Sequence, residues 1–123
     1  MGLFTKQQTD VAPDARARKR ATKMGIDTEG AVFVGVGYAD TQQEVLVVHR
    51  DRVELHRDGK AGSLFRSGAG AQVIPVDRVS SVGSVKDGMW VKVTVYTSGT
   101  DLEFRSNQVT AGEAVLALQA VTA

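Results

Sequence analysis

The segment Leu46–His56, LVVHRDRVELH, decides the fold. It is the centre of a predicted β-hairpin made by Glu44–His49 and Arg52–Arg57, turning at Arg50–Asp51. Pairing His49 with Arg52 sets Val48 opposite Val53 and Leu46 opposite Leu55 on one face. Val45 then faces His56, and Val47 faces Glu54, on the other. One apolar face and one mixed face is the pattern of a sheet packed on one side.

Period-two patterning rich in Val continues on both sides, as expected where β-branched side chains meet a pleated surface. Upstream, Ala31–Tyr38 (AVFVGVGY) reads as a first strand. Val32, Val34, Val36 and Tyr38 are expected on one face, Val32 and Val34 of them in the core, with Phe33, Gly35 and Gly37 on the other. Downstream, Asp58–Ala71 is a loop rich in Gly, Ala and Ser, with a short strand expected around Leu64–Phe65. Gln72–Val76 and Val79–Val85 read as short strands separated by Asp77–Arg78. Lys86-Asp87-Gly88 supplies a turn, with Gly where a positive φ is wanted. Met89–Thr97 is the clearest strand, with Met89, Val91, Val93 and Val95 alternating against Trp90, Lys92, Thr94 and Tyr96. Asp101–Arg105 follows, pointing Leu102 and Phe104 inward.

The ending is helical. Thr110 and Glu113 stand at capping-box spacing, and Ala111, Ala114, Val115, Leu118 and Val121 make one apolar stripe. The expected core is Val32, Val34, Leu46, Val48, Val53, Leu55, Ile74, Val91, Val93, Val95, Leu102, Phe104, Val115 and Leu118.

Composition agrees with one small globular domain. The chain has 123 residues, 42% hydrophobic and 24% charged, with a net charge of +1. That balance excludes a strongly basic nucleic-acid binder as a description of the whole chain. With no Cys there are no disulfides, thiolate metal sites or thiol nucleophiles. No apolar run approaches the roughly 20 residues that span a bilayer. Met1–Phe4 is followed by polar residues rather than by the apolar segment of a signal peptide, so the expected location is cytoplasmic.

Charge is unevenly spread: +2 over residues 1–30 and −1 over residues 31–123. Residues 1–29 therefore read as a basic arm and 30–123 as the domain. Pro13–Lys23, PDARARKRATK, contains good helix formers, and Pro13 and Asp14 suit a first turn. It has no bulky apolar residue, so by itself it is expected to be flexible or marginally helical. Its bases Arg16, Arg18, Lys19, Arg20 and Lys23 would contact nucleic-acid phosphates or an anionic membrane surface, or would simply be solvated.

About seven strands followed by one amphipathic helix resembles the pleckstrin-homology-like (PH-like) fold, in particular small bacterial PH-like domains. The resemblance rests on the hairpin, on VIPVDRVSSV (Val73–Val82), on MWVKVTVYT turning into DLEFR, and on the final helix. It covers roughly Gly30–Val121. It implies a mainly β, antiparallel sandwich or partly open barrel capped by the C-terminal helix, and a role in binding and scaffolding. Eukaryotic relatives bind phosphoinositides through bases around the first inter-strand loop. Here that loop, Ala39–Gln43 (ADTQQ), has no base and one acid, which argues against a phosphoinositide partner.

Catalytic motifs are missing. There is no Gly-x-Ser-x-Gly elbow and no phosphate loop, and GVGYAD lacks the third Gly of a dinucleotide fingerprint. The only histidines, His49 and His56, are placed about 13 Å apart by strand spacing, too far to share a metal, and read as surface residues. The sequence thus points to a non-catalytic module with no metal and no cofactor. Its expected partner is a protein or a second copy of itself. Trp90, Lys92 and Tyr96 on the outward face of the longest strand are interface candidates, as are Val45 and Val47 on the mixed face of the hairpin.

Overall fold

The computed structural model describes residues 13–39, 42–57 and 70–123. In chain order the elements are α1 (Pro13–Lys23), β1 (Phe33–Ala39), β2 (Gln42–Val48), β3 (Arg52–Arg57) and β4 (Gly70–Pro75). A 3₁₀ turn (Val76–Arg78) leads to β5 (Val79–Asp87), β6 (Trp90–Thr97), β7 (Leu102–Ser106) and α2 (Gln108–Thr122). The fold is mainly β. β1-β2-β3-β4 form one antiparallel sheet and β5-β6-β7 a second, and the assembly is open rather than a closed barrel. The strand expected at Leu64–Phe65 lies outside the described residues.

The hairpin is paired as the sequence predicts, with Leu46 opposite Leu55, Val48 opposite Val53, Val45 opposite His56 and Val47 opposite Glu54. His49 N–H closes the turn on Arg52 O at 2.8 Å. The turn between β5 and β6 falls at Gly88, whose φ of 65° suits a residue without Cβ.

The main core lies between the two sheets and under α2. Phe33, Leu46, Val48, Val53, Leu55 and Ile74 of the first sheet meet Val93, Val95, Leu102 and Phe104 of the second, and Ala111, Ala114 and Leu118 of α2 close it. Val91 and Val115 pack only partly buried against this cluster.

β1 corrects the sequence reading. Phe33, Gly35 and Gly37, not the valines, face the main core, and Val32 is 37% exposed. The reason is space. A Cβ on Gly35 would lie 2.7 Å from the Phe33 ring and 3.0 Å from Thr110 Cγ2. One on Gly37 would lie 2.5 Å from Arg105 O and 2.6 Å from the Phe104 ring. The glycines let β7 and α2 close onto β1, and Val34 is turned to the opposite face.

That opposite face is also covered, so the arm is corrected too. α1 is a docked helix rather than a frayed one. Ala17 and Ala21, four residues apart, are buried against Val34, Val45 and Val47, with Met24, Ile26, Ala31 and Val36 packed around them. Small side chains let the helix backbone lie close to the sheet. Arg18 ion-pairs with Asp14 and donates to Ala31 O at 2.8 Å, tying α1 to its own linker.

The N-cap of α2 lies three residues before the expected one. Asn107 is the N-cap, and its Oδ1 accepts Thr110 N–H at 2.8 Å. Thr110 is buried within the first turn instead of capping it.

Candidate interaction surface

Strand edges are where a β protein meets partners, because an unpaired row of N–H and C=O groups templates pairing. β1, at the edge of the first sheet, is covered by side chains. Val34 N–H donates to Asp14 Oδ2 (3.2 Å), Ser106 Oγ donates to Val36 O (2.7 Å), and Arg105 Nε donates to Tyr38 O (3.2 Å). β4 ends at Pro75, which has no donor, and Gln72 Nε2 crosses to Asp101 O at 3.1 Å.

β5 differs. It pairs with β6 alone, and no hydrogen bond from the described residues reaches the outer edge of Ser81–Asp87. Its sequence VSSVGSVKD keeps the middle of that edge small and uncharged. Beside it runs a groove of about 380 Å³ between β5 and α2, lined by Ser84, Val85, Lys86, Val91, Val115 and Leu116 among others. Val85 is 56% and Leu116 68% exposed, so the groove carries apolar surface that the chain itself does not cover.

The interface candidates from the sequence do not form one patch. Trp90 is half-buried and packs against Tyr38 of β1, with ring centroids 5.2 Å apart and planes at 42°. Lys92 lies 3.8 Å from Glu103. Thr94, between them and Tyr96, is buried. Tyr96 stays 44% exposed, with its ring over Gly83 of β5. Val45 and Val47 are fully buried, so they are not an open patch: α1 already occupies that face.

The arm residues divide. Arg18 is committed to holding α1 in place. Lys19 and Lys23 are exposed. Arg16 and Arg20 line a cleft of about 370 Å³ with Ala17, Val36, Tyr38, Gln43, Asn107 and Thr110.

The histidines are another correction. His49 is buried and His56 half-buried, and both reach Glu54 from either side. His56 Nε2 donates to Glu54 Oε1 at 2.7 Å, His49 Nε2 lies 3.6 Å from Oε2, and Arg52 also pairs with Oε2. Backbone spacing separates the histidines, but their side chains lean back toward the carboxylate between them. Burial alone would raise the Glu54 pKa, and the hydrogen bonds from His56 and Arg52 outweigh it and hold the carboxyl below its usual range. A carboxylate so engaged is a staple along β3, not a free base. Among the described residues no three His, Asp or Glu side chains are grouped to hold a metal.

Another cleft, of about 610 Å³, mixes Glu44, Asp87, Asp101 and Glu103 with Arg57, Lys92 and Arg105. Buried Glu44 accepts from Arg57 Nε at 2.9 Å, yet desolvation exceeds that help and raises its pKa. Acids and bases here answer one another across an open rim and select no single charge of ligand.

No protein-family model matches the chain, and no curated protein matches it either.

Proposed function

We propose that this chain is a non-catalytic binding and assembly module, PH-like in kind, that pairs with a second copy of itself along β5. The outer edge of β5, unpaired among the described residues and beside an exposed apolar groove, carries this reading, set against a β1 edge closed by Asp14, Ser106 and Arg105. A two-fold antiparallel pairing centred on Gly83 would place Lys86 of one copy opposite Ser80 of the other, so that no like charges meet. Val85 and Leu116 would then lose their exposed surface. The engaged states of Glu54 and Glu44 support the absence of catalysis. The reading places the module in the cytoplasm. No helix among the described residues is long and apolar enough to cross a membrane.

The test is absolute mass by light scattering on a sizing column, for the full chain and for Ser84→Lys. A lysine in the middle of an edge strand blocks edge pairing and is accommodated at an exposed position. The expected result is an oligomer that falls to monomer in Ser84→Lys with an unchanged melting curve. A full chain that is monomeric at every concentration, or a variant of unchanged mass, rejects the reading.

A second reading, contact with an anionic membrane or nucleic acid through α1, is favoured by exposed Lys19 and Lys23 beside Arg16. It requires binding that weakens steeply with added salt.

A further inference from the structure

We propose that α2 carries a second, helical layer of the self-pairing surface, in which Leu116 of one copy meets Leu116 of the other on the two-fold axis through Gly83 of β5. This rests on the β5 pairing proposed above.

The first observation is what α2 lacks. Its 15 residues include one charged side chain, Glu113, whereas six of the 11 residues of α1 are charged. A helix with apolar residues on both sides is ordinarily covered on both. One side of α2 is buried, through Ala111, Ala114 and Leu118. Among the described residues nothing covers the other, where Val109 is 61% and Leu116 68% exposed. Gly112 stands between them, and a Cβ placed there would meet nothing within 4 Å.

Chain direction fixes which residue lies at the axis. α2 begins beside Lys86 and Val91, which share a groove with Gln108 and Ala111, and it reaches the 3₁₀ turn at Val76–Arg78. β5 starts after that turn and ends at Asp87, so helix and strand run side by side in opposite directions. From Lys86 back to Gly83 is three residues of strand, or about 10 Å. From Gln108 on to Leu116 is eight residues of helix, or about 12 Å. Leu116 is therefore level with Gly83. The axis that the strand charges select passes beside the most exposed large apolar side chain of the helix.

A second copy is the occupant because the face complements itself about that axis and is continuous with the groove at the β5 edge, which Gly112 and Leu116 line. Two antiparallel helices centred on Leu116 set Gly112 of one copy against Ala120 of the other, and Glu113 against Gln119. Small residues flank the central leucines, which lets two helices approach to packing distance, and no like charges meet.

The chain has no Cys, so one introduced thiol reports one position. Full-length Leu116→Cys treated with a short bis-maleimide should give a covalent dimer on a denaturing gel. Val109→Cys is the control. It lies seven residues along the helix from the axis, so two such thiols are about 20 Å apart and should not link. Leu116→Lys should raise the dimer dissociation constant about tenfold or more, with an unchanged far-ultraviolet circular dichroism spectrum.

Linkage at Leu116 that disappears when Ser84→Lys is added supports the proposal. Equal linkage at Val109 and Leu116 overturns the helical layer. So does absence of linkage at Leu116 in a chain whose mass falls on Ser84→Lys, and the β5 pairing then stands alone. Linkage at Leu116 that persists with Ser84→Lys overturns the shared axis. A full chain monomeric at every concentration overturns both readings.

Discussion

Gly37→Ala should be among the most damaging single-methyl additions in this chain, although Gly37 lies in a strand. Exchanging Gly for Ala in a strand interior ordinarily stabilises by roughly 0.5–1 kcal/mol, because Ala loses less freedom on folding. Here the new methyl would sit 2.5 Å from Arg105 O and 2.6 Å from the Phe104 ring. Non-bonded carbons are content at about 3.5–4.0 Å, so something must retreat by roughly 1 Å. The ring can tilt, but the carbonyl belongs to β7 and moves only with that strand. Its retreat stretches the side-chain bonds that join the sheets at this corner, Ser106 Oγ to Val36 O at 2.7 Å and Arg105 Nε to Tyr38 O at 3.2 Å. Overpacking costs about 1–3 kcal/mol, and each weakened hydrogen bond up to about 1 kcal/mol. Allowing for the entropy gain, the net loss is about 1–3 kcal/mol, a fall in Tm of roughly 4–12 °C. Gly83→Ala is the matched control, since its methyl would meet only the Tyr96 ring at 3.4 Å. It should be neutral or stabilising by up to about 0.5 kcal/mol. Urea midpoints at constant m-value measure both. A Gly37→Ala midpoint at or above wild type, or a larger loss from Gly83→Ala, would refute the close approach of β7 to β1.

Two carboxylates, buried Glu44 and half-buried Glu54, should give opposite pH dependences. Glu54 is held below the usual value of 4.5 in the fold, so its contribution is complete above that value and is lost as acid protonates it. Glu54→Gln should therefore lower stability at neutral pH and flatten the acid limb of a stability–pH curve. Glu44 is raised above 4.5, so the folded state binds the extra proton and this group's contribution improves as pH falls through its raised pKa toward 4.5. Glu44→Gln keeps an acceptor for Arg57 without a buried charge, and should hold or raise Tm at pH 7. Deleting residues 1–24 should expose Val34, Val45 and Val47, raise binding of an apolar dye and cause association at any salt concentration. Unchanged dye binding after that deletion would mean that α1 contributes no cover.

The hairpin register was legible because a two-residue turn and strict alternation leave one solution that puts Leu46, Val48, Val53 and Leu55 together. The same rule misassigned β1, where alternation assumes one buried face. Both faces of β1 are buried, and the deciding residues, Gly35 and Gly37, contribute absence of volume rather than hydrophobicity. α1 was misread because its apolar side consists of Ala17 and Ala21 alone, which matter as a close fit and not as area. Asn107 and Thr110 stand three apart and either suits an N-cap; the packing of Thr110 against Gly35 settles which one serves. The candidate surface was hidden for a different reason. β5 and β6 both read as strands in the sequence, and only the strand order puts β5 at an edge and β6 in the middle.

The two sheets treat their exposure in opposite ways, and this decides how assembly has to be tested. β1 and β2 of the first sheet are buried on both faces, and the β1 edge is closed by side chains, one of them Asp14 from α1. Removing the arm therefore strips a face and opens an edge together, so a truncated chain that associates would say nothing about the intact one. The second sheet keeps the outer edge of β5 unpaired among the described residues with α1 in place. A change confined to β5, such as Ser84→Lys, leaves every contact of the first sheet intact. Only an association lost in that variant and present in the full chain can belong to the native edge.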